Sequence, residues 1–132
     1  MAASTLRILV VDDIEDNRVL LKRRLEKDTV VVEEAENGTV ALEKLDAERF
    51  DLVLLDIHMP GMGGVEVLRR IRQQFPQSKL PVMMLTASNQ IADVLEAHKS
   101  GANDYITKPI NFPVALARIK SVLAGSGLAT AL

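Results

Sequence analysis

No cysteine occurs among the 132 residues. That absence removes disulfides, thiolate catalysis and cysteine-ligated zinc together, and it agrees with a reducing compartment. Nor does charge of one sign dominate: 16 lysines and arginines face 18 aspartates and glutamates, a formal net charge of −2. A domain so balanced has no basic field to draw nucleic acid or an anionic membrane, and direct binding of either is not expected. No apolar run approaches the roughly 20 residues of a membrane span. The opening "MAASTLRILVV" passes straight into a strand pattern without the cleavage region of a signal peptide, so the cytoplasm is the expected location. What the chain does contain is ordinary for a globular protein, with 48% hydrophobic and 26% charged residues. Its length suits one domain with one core, able to bury roughly two thirds of the unfolded surface.

Short apolar runs alternate with longer segments of helical period, the sequence form of parallel βαβ units. The runs are "LRILVV" (6–11), "TVVVEEA" (29–35), "DLVLL" (51–55), "PVMML" (81–85) and "DYIT" (104–107). Most are nearly continuous in aliphatic residues, as strands covered on both faces require, whereas 29–35 is more polar and suits an edge. Between the runs, Val65, Leu68, Ile71 and Phe75 mark one helical face. Ile91, Val94, Leu95 and His98 mark another, with His98 read as a half-buried structural residue, and Leu116, Ile119, Val122 and Leu123 mark the last. The first helix opens on Glu15 and Asp16 and closes on Lys22, Arg23, Arg24 and Lys27, each sign placed to complement the helix dipole. Gly38 begins the second helix. The expected fold is a single doubly wound, five-stranded parallel α/β sheet with five helices. Residues 1–124 form the domain, and "GSGLATAL" (125–132) reads as a tail or the start of a linker.

An open α/β sheet binds its ligand outside the carboxyl ends of its strands. Asp12 and Asp13 end the first strand, Asp56 the third and Thr86 the fourth, and Lys108 follows the fifth, so every polar candidate falls at that edge. Any one acid after a strand is ordinarily a turn former or cap; five groups coinciding is not ordinary. Three carboxylates in one crevice must spread apart, hold protons or bind a cation. Oxygen ligands without His or Cys suit Mg²⁺, which commonly combines one or two carboxylates with phosphate oxygens. Asp56 can then act as a nucleophile and form an aspartyl-phosphate, with Lys108 as a point charge and the Thr86 hydroxyl as a hydrogen-bond donor to the phosphoryl oxygens.

"ILVVDD", "VLLDIHMPGMGG", "VMMLTA" and "GANDYITKPI", in this order and spacing, resemble the response-regulator receiver domain of two-component signalling, and the likeness covers about residues 6–124. It implies a flavodoxin-like fold of strand order 2-1-3-4-5, like that of the chemotaxis response regulators. Asp56 becomes the phosphoacceptor, Asp13 a direct Mg²⁺ ligand, Asp12 a support acting through water, and the main-chain carbonyl of His58 the third protein ligand. Thr86 and Tyr105 become the switch pair, Ala87 and Ser88 border the phosphate, and Lys108–Pro109 is a candidate cis peptide. The implied partners are a sensor histidine kinase or histidine phosphotransfer protein and an output domain in cis or a partner in trans, with a phosphorylation-promoted homodimer possible; the moving surface is the fourth helix, fifth strand and fifth helix. Arg18 and Leu21 are expected on the kinase-docking face.

One feature departs from that likeness, and two other readings compete with it. Receivers often carry M-P-x-M-D-G where this chain has "MPGMGG", which places Gly63 at an acid's position and should alter the cap of the third helix rather than the chemistry. A Mg²⁺-dependent phosphohydrolase of the haloacid-dehalogenase kind also forms an aspartyl-phosphate, but needs a second acid two residues after the nucleophile, where His58 stands. A pseudo-receiver acting only through protein contacts would not need the full set of Asp12, Asp13, Asp56, Thr86 and Lys108. The sequence therefore points to a phosphoacceptor with slow self-dephosphorylation, not a turnover enzyme.

Overall fold

A computed structural model describes residues 6–26, 30–87 and 91–125. Strands and helices alternate in the order β1 (Leu6–Val11), α1 (Glu15–Leu25), β2 (Val30–Ala35), α2 (Gly38–Ala47), β3 (Leu52–Asp56), α3 (Gly64–Gln74), β4 (Val82–Ala87), α4 (Ile91–Lys99), β5 (Asp104–Lys108) and α5 (Phe112–Gly125). All neighbouring strands pair in parallel, in the order β2-β1-β3-β4-β5. The polar β2 is an edge, as its composition predicts, and the aliphatic β1, β3 and β4 fill the middle. Thr29 and Lys27 lie outside the described residues, as does everything after Gly125.

Strand alternation divides the core in two. Leu9, Val11, Val53, Leu55, Val82 and Met84 pack on the side of α2, α3 and α4. Ile8, Val10, Leu52, Leu54, Leu85 and Ile106 face α1 and α5, meeting Leu21, Leu25, Ala115, Ile119 and Leu123. Local chemistry sets the helix starts. The Asn37 side chain accepts the Val40 N–H at 2.9 Å and caps α2. Gly63 caps α3 with no side-chain hydrogen bond, as the missing acid leads one to expect.

Three helical faces differ from their sequence reading. In α3 the buried positions are Val67, Leu68 and Ile71, while Val65 and Phe75 are only half-buried. In α5, Ala115 joins Ile119 and Leu123 in the core, and Leu116 and Val122 lie at its margin. In α4 the core contact is Ala97; Ile91 is 70% exposed, Leu95 58%, and His98 is exposed rather than half-buried. Periodicity finds an apolar stripe but not whether something covers it.

At the far edge of the sheet Arg72 ties α3 to the segments around β4 and β5. Its guanidinium donates to the carbonyls of Gly101 (2.8 Å), Phe75 (3.1 Å) and Leu80 (2.8 Å) and to Asn103 Oδ1 (2.9 Å). Burial lowers its pKa to about 10, which leaves it charged at neutral pH.

Gly64 shows how closely α3 approaches the strand carrying Asp56. A Cβ there would lie 2.1 Å from the Asp56 carbonyl oxygen and 2.7 Å from Ile57 Cα, both backbone atoms that cannot step aside. At Gly38 the nearest obstruction is Val67 Cγ2 at 2.5 Å, a side-chain methyl that can turn. In urea denaturation, Gly64→Ala should therefore destabilise the domain by about 2 kcal/mol or more and Gly38→Ala by clearly less. Equal losses would mean that the α3–β3 approach is not rigid.

Candidate functional site

Because every strand is parallel, the C-terminal ends of β1, β3, β4 and β5 open on one edge of the sheet. The row that buries Val10, Leu54 and Ile106 beneath α1 and α5 continues at that edge into Asp12, Asp56 and Lys108. The register places Ala87 opposite Lys108 in the same row, and a methyl side chain there leaves the crevice open. Thr86 and Tyr105 take the other phase of alternation and belong to the side covered by α3 and α4.

Lys108 Nζ lies 3.0 Å from Asp12 Oδ2 and 3.4 Å from Asp56 Oδ2. One half-buried ammonium is thus shared by a fully buried acid and one that is 6% exposed. Asp12 is held on several sides: its Oδ1 accepts the Ile14 N–H at 2.9 Å, its main-chain N–H donates to Ala35, and its carbonyl accepts Arg18 Nη1 at 2.7 Å. Arg18 Nε also donates to Glu34 Oε1 at 3.1 Å, so it braces the acidic loop against α1 and β2. Asp13 is exposed, and ligand oxygens of Asp12, Asp13 and Asp56 all lie within 4.8 Å of one another. Opposite ligands of an octahedral ion with bonds of about 2.1 Å stand roughly 4.2 Å apart, so small side-chain rotations bring this all-oxygen set to the span Mg²⁺ needs.

Burial pushes the Asp56 carboxyl above its ordinary 3.8 and outweighs the lowering effect of Lys108; the Asp12 charge adds to the rise, and the His58 main-chain N–H opposes it. For Lys108, burial works against the charged form, but the hydrogen bond to Asp12 and the charges of Asp56 and Asp12 outweigh it and raise its pKa. The two shifts agree with the distances. Asp12 holds the lysine more closely, and Asp56 is left under-compensated.

The remaining sequence candidates divide. Thr86 is buried, and its hydroxyl donates to the Ala87 carbonyl at a long 3.3 Å. Tyr105 is half-buried, with Arg118 Cζ 5.1 Å from its ring centroid and Arg118 Nη1 bonded to Asp104 at 2.9 Å. Beside the ring is a cavity of about 460 Å³ lined by Met84, Val94, Leu95 and Ala97 among others. The Lys108–Pro109 peptide is cis. Ser88 lies outside the described residues. The docking expectation needs correction: Leu21 is 2% exposed and belongs to the core, and Arg18 is engaged with Asp12 and Glu34, so the exposed apolar residues on this flank are Ile14 and Leu20. Sequence reading also missed a partner of His58, whose Nε2 donates to Asp93 Oδ2 of α4 at 2.7 Å. No spacing rule pairs residues 35 apart on a loop and a helix.

Because the folded Asp56 carboxyl titrates above its unfolded value, its contribution to stability is fully present below pH 3.8 and is lost as pH rises through the raised value. Ionised Asp56 is then a burden at neutral pH without a divalent cation. Asp56→Asn should stabilise the metal-free domain at pH 7 by about 1 kcal/mol, roughly 3–5 °C in Tm, with the advantage shrinking on acidification. Thermal melts in chelator across pH check this; an advantage that grows toward low pH would reverse the assignment.

The profile of the response regulator receiver domain matches residues 8–120. The chain is 40% identical over 117 residues to the transcriptional regulatory protein ResD of Bacillus subtilis, covering 89% of this chain and 48% of ResD. It is 39% identical over 116 residues to the response regulator PleD of Caulobacter vibrioides, covering 88% and 26%. It thus spans about half or less of these curated relatives. Among solved structures, the chemotaxis protein CheY4 of Vibrio cholerae superposes with a TM-score of 0.81 at 30% identity, covering 90% of this chain and 99% of that one. A two-component response regulator/GGDEF domain protein superposes at 0.89 and 27% identity, covering 93% and 51%. Fold, site chemistry and sequence agree, and the chain belongs to the receiver domains of two-component response regulators.

Proposed function

We propose that this receiver accepts a phosphoryl group on Asp56 from a phosphohistidine of a sensor kinase or phosphotransfer protein, and that the modified domain controls an output domain in cis or a partner in trans. The observation that carries this reading is the shared Lys108 ammonium between buried Asp12 and Asp56 with Asp13 alongside. It is a crevice with positive and negative groups set around one nucleophile. Asp13, Asp56 and the His58 carbonyl would hold Mg²⁺, with Asp12 supporting it through water; when bound, the ion supplies positive charge to the phosphoryl oxygens.

The protein's own groups perform the transfer. An Asp56 oxygen bonds to phosphorus as the P–N bond of phosphohistidine breaks, and the leaving imidazole takes a proton. A carboxylate whose pKa is raised is the more basic nucleophile once ionised. Lys108, already beside Asp56, meets the new negative charge with no long displacement. The long Thr86 to Ala87 bond is readily exchanged for one to a phosphoryl oxygen. Movement of Thr86 makes room for Tyr105, and the cavity by α4 gives its ring somewhere to go. Phosphorylation thereby biases a surface of α4, β5 and α5 between two states. That surface is also where a phosphorylation-promoted homodimer would form. We assign residues 1–124 to the receiver and 125–132 to a tail or linker, and the cytoplasm, where histidine kinases act, as its place of work. Slow loss of phosphate resets the switch without making the domain a turnover enzyme.

Incubation with acetyl phosphate, with and without Mg²⁺, followed by intact mass, tests the reading. A single phosphoryl adduct should form on wild type only with Mg²⁺, be absent from Asp56→Asn, and form at least tenfold more slowly on Lys108→Ala, which removes one charge stabilising the transition state. Rapid release of inorganic phosphate would favour a phosphohydrolase. No adduct at all would leave a receiver that works only through contacts.

A further inference from the structure

Strand β2 closes one end of the sheet, so one side of its backbone has no strand beside it. It opens on three consecutive valines, Val30, Val31 and Val32, a stretch of high β-propensity without proline. An edge of that kind is a ready template for a strand of another chain. The Asp12 N–H donates to the Ala35 carbonyl, which fixes the main-chain groups of Ala35 toward β1. By alternation those of Val31 and Glu33 share that side, and those of Val30, Val32 and Glu34 face outward. Two charged side chains meet these outward groups. Glu26, at the C-terminal end of α1, accepts the Val32 N–H on Oε2 at 3.3 Å, and Lys44 of α2 donates from Nζ to the Glu34 carbonyl at 2.6 Å. Helices α1 and α2 pack on opposite faces of the sheet, so the edge is reached from both sides. Each charge suits its group: a carboxylate on the donor, an ammonium on the acceptor.

We propose that Glu26 and Lys44 guard the β2 edge against pairing with the β2 of a second copy of this chain. A two-fold antiparallel pairing centred on Val32 would close as a dimer. In it the Val32 N–H of each copy donates to the Val32 carbonyl of the other, and the Val30 N–H donates to the Glu34 carbonyl. An incoming strand must lie about 4.8 Å from β2 to make those bonds. It therefore has to displace the carboxylate from the Val32 N–H and the ammonium from the Glu34 carbonyl, on both copies. The acids of the strand do not prevent the pairing by themselves. The same register sets Glu33 opposite Val31 and Glu34 opposite Val30, so no like charges meet directly across it. The caps are what closes the edge, and they withhold this strand from self-association whatever the state of Asp56.

Analytical ultracentrifugation of the whole chain without phosphodonor tests this, joined to amide hydrogen exchange. The set is wild type, Glu26→Ala, Lys44→Ala, the double variant Glu26→Ala/Lys44→Ala, and the conservative Glu26→Gln and Lys44→Arg. The double variant loses one acid and one base, so the formal net charge stays at −2 and cannot account for a change in association. It should associate at a concentration at least about tenfold below wild type, with each alanine single variant between the two. Glutamine keeps an acceptor oxygen and arginine keeps a donor, so both conservative variants should behave as wild type. In the associated form the outward amides of Val30 and Glu34 should become protected from exchange. A double variant that associates no more readily than wild type overturns the proposal. So does association without protection at Val30 and Glu34, which would place the contact elsewhere, or association of the conservative variants equal to that of the alanine ones. Far-UV circular dichroism at low concentration identifies a variant that has lost its fold; should the double variant be one, the two alanine single variants decide by the same readouts.

Discussion

One ammonium shared by two buried carboxylates organises the molecule's functional edge. Lys108 and Asp12 are 96 residues apart in sequence, yet they close to 3.0 Å because β1 and β5 run parallel and flank β3 and β4, with Asp56 between them. The lysine does not hold both acids equally. Asp12 is fully buried and has the shorter bond, together with the Ile14 N–H and the Arg18 brace on its carbonyl; Asp56 receives the longer contact and a raised pKa. The uneven division leaves the acid at the end of the central strand short of positive charge. A divalent cation relieves that deficit. The electrostatic shortfall that burdens the resting fold is thus the same feature that makes the site reactive.

Strand alternation supplies the rest of the arrangement. Asp12, Asp56 and Lys108 extend the row that packs on α1 and α5, so the chemistry is seated against a face whose helices hold Leu21, Leu25, Ile119 and Leu123 in the core. Thr86 and Tyr105 take the opposite phase, toward α3 and α4. The acidic crevice and the Thr86–Tyr105 pair therefore lie on different faces of one sheet, separated by a single residue step along the strand. The first face is well buried. On the second, α4 keeps Ile91 and Leu95 in solvent and borders a cavity of about 460 Å³. The second face is the less tightly packed of the two, and loosely packed elements are the ones a local event moves at least cost.

Much of this was legible in the residues. Aliphatic runs bounded by Gly, Pro and acids located all five strands, because strands covered on both faces leave little room for polar side chains; the polar "VVVEEA" marked the edge for the same reason. The site was legible because parallel strands bring every strand end to one edge, which turns scattered Asp, Thr and Lys into a cluster. Side-chain environment was less so. Leu21 reads as a surface residue next to Arg18 but fills the core beneath α1, and Val67 rather than Val65 is buried in α3, since a helix's rotation about its axis is set by what it packs on. His98 and Leu95 show the reverse error: an apolar stripe suggests burial, and nothing in sequence says whether another element of the domain covers it. Bonds such as His58–Asp93 are illegible for a further reason, because they depend on the relative placement of a loop and a helix that no local pattern encodes.

The unequal holding of α4 connects these points. Helices α1, α3 and α5 each bury two or more large aliphatic residues, whereas α4 buries only Ala97 among its described side chains. Apolar burial contributes roughly 25 cal/mol per Å², so a helix that withholds Ile91 and Leu95 from the core forgoes several kcal/mol of attachment that its neighbours have. What remains on the α3 side are polar ties at exposed positions, each of small individual strength. Such ties suit a switch. They are weak enough individually that a change of charge at Asp56 can outweigh them. A helix anchored by large buried side chains would need a change several times larger to move, and the modest energy of one phosphoryl group would then be spent on packing rather than on the surface a partner reads.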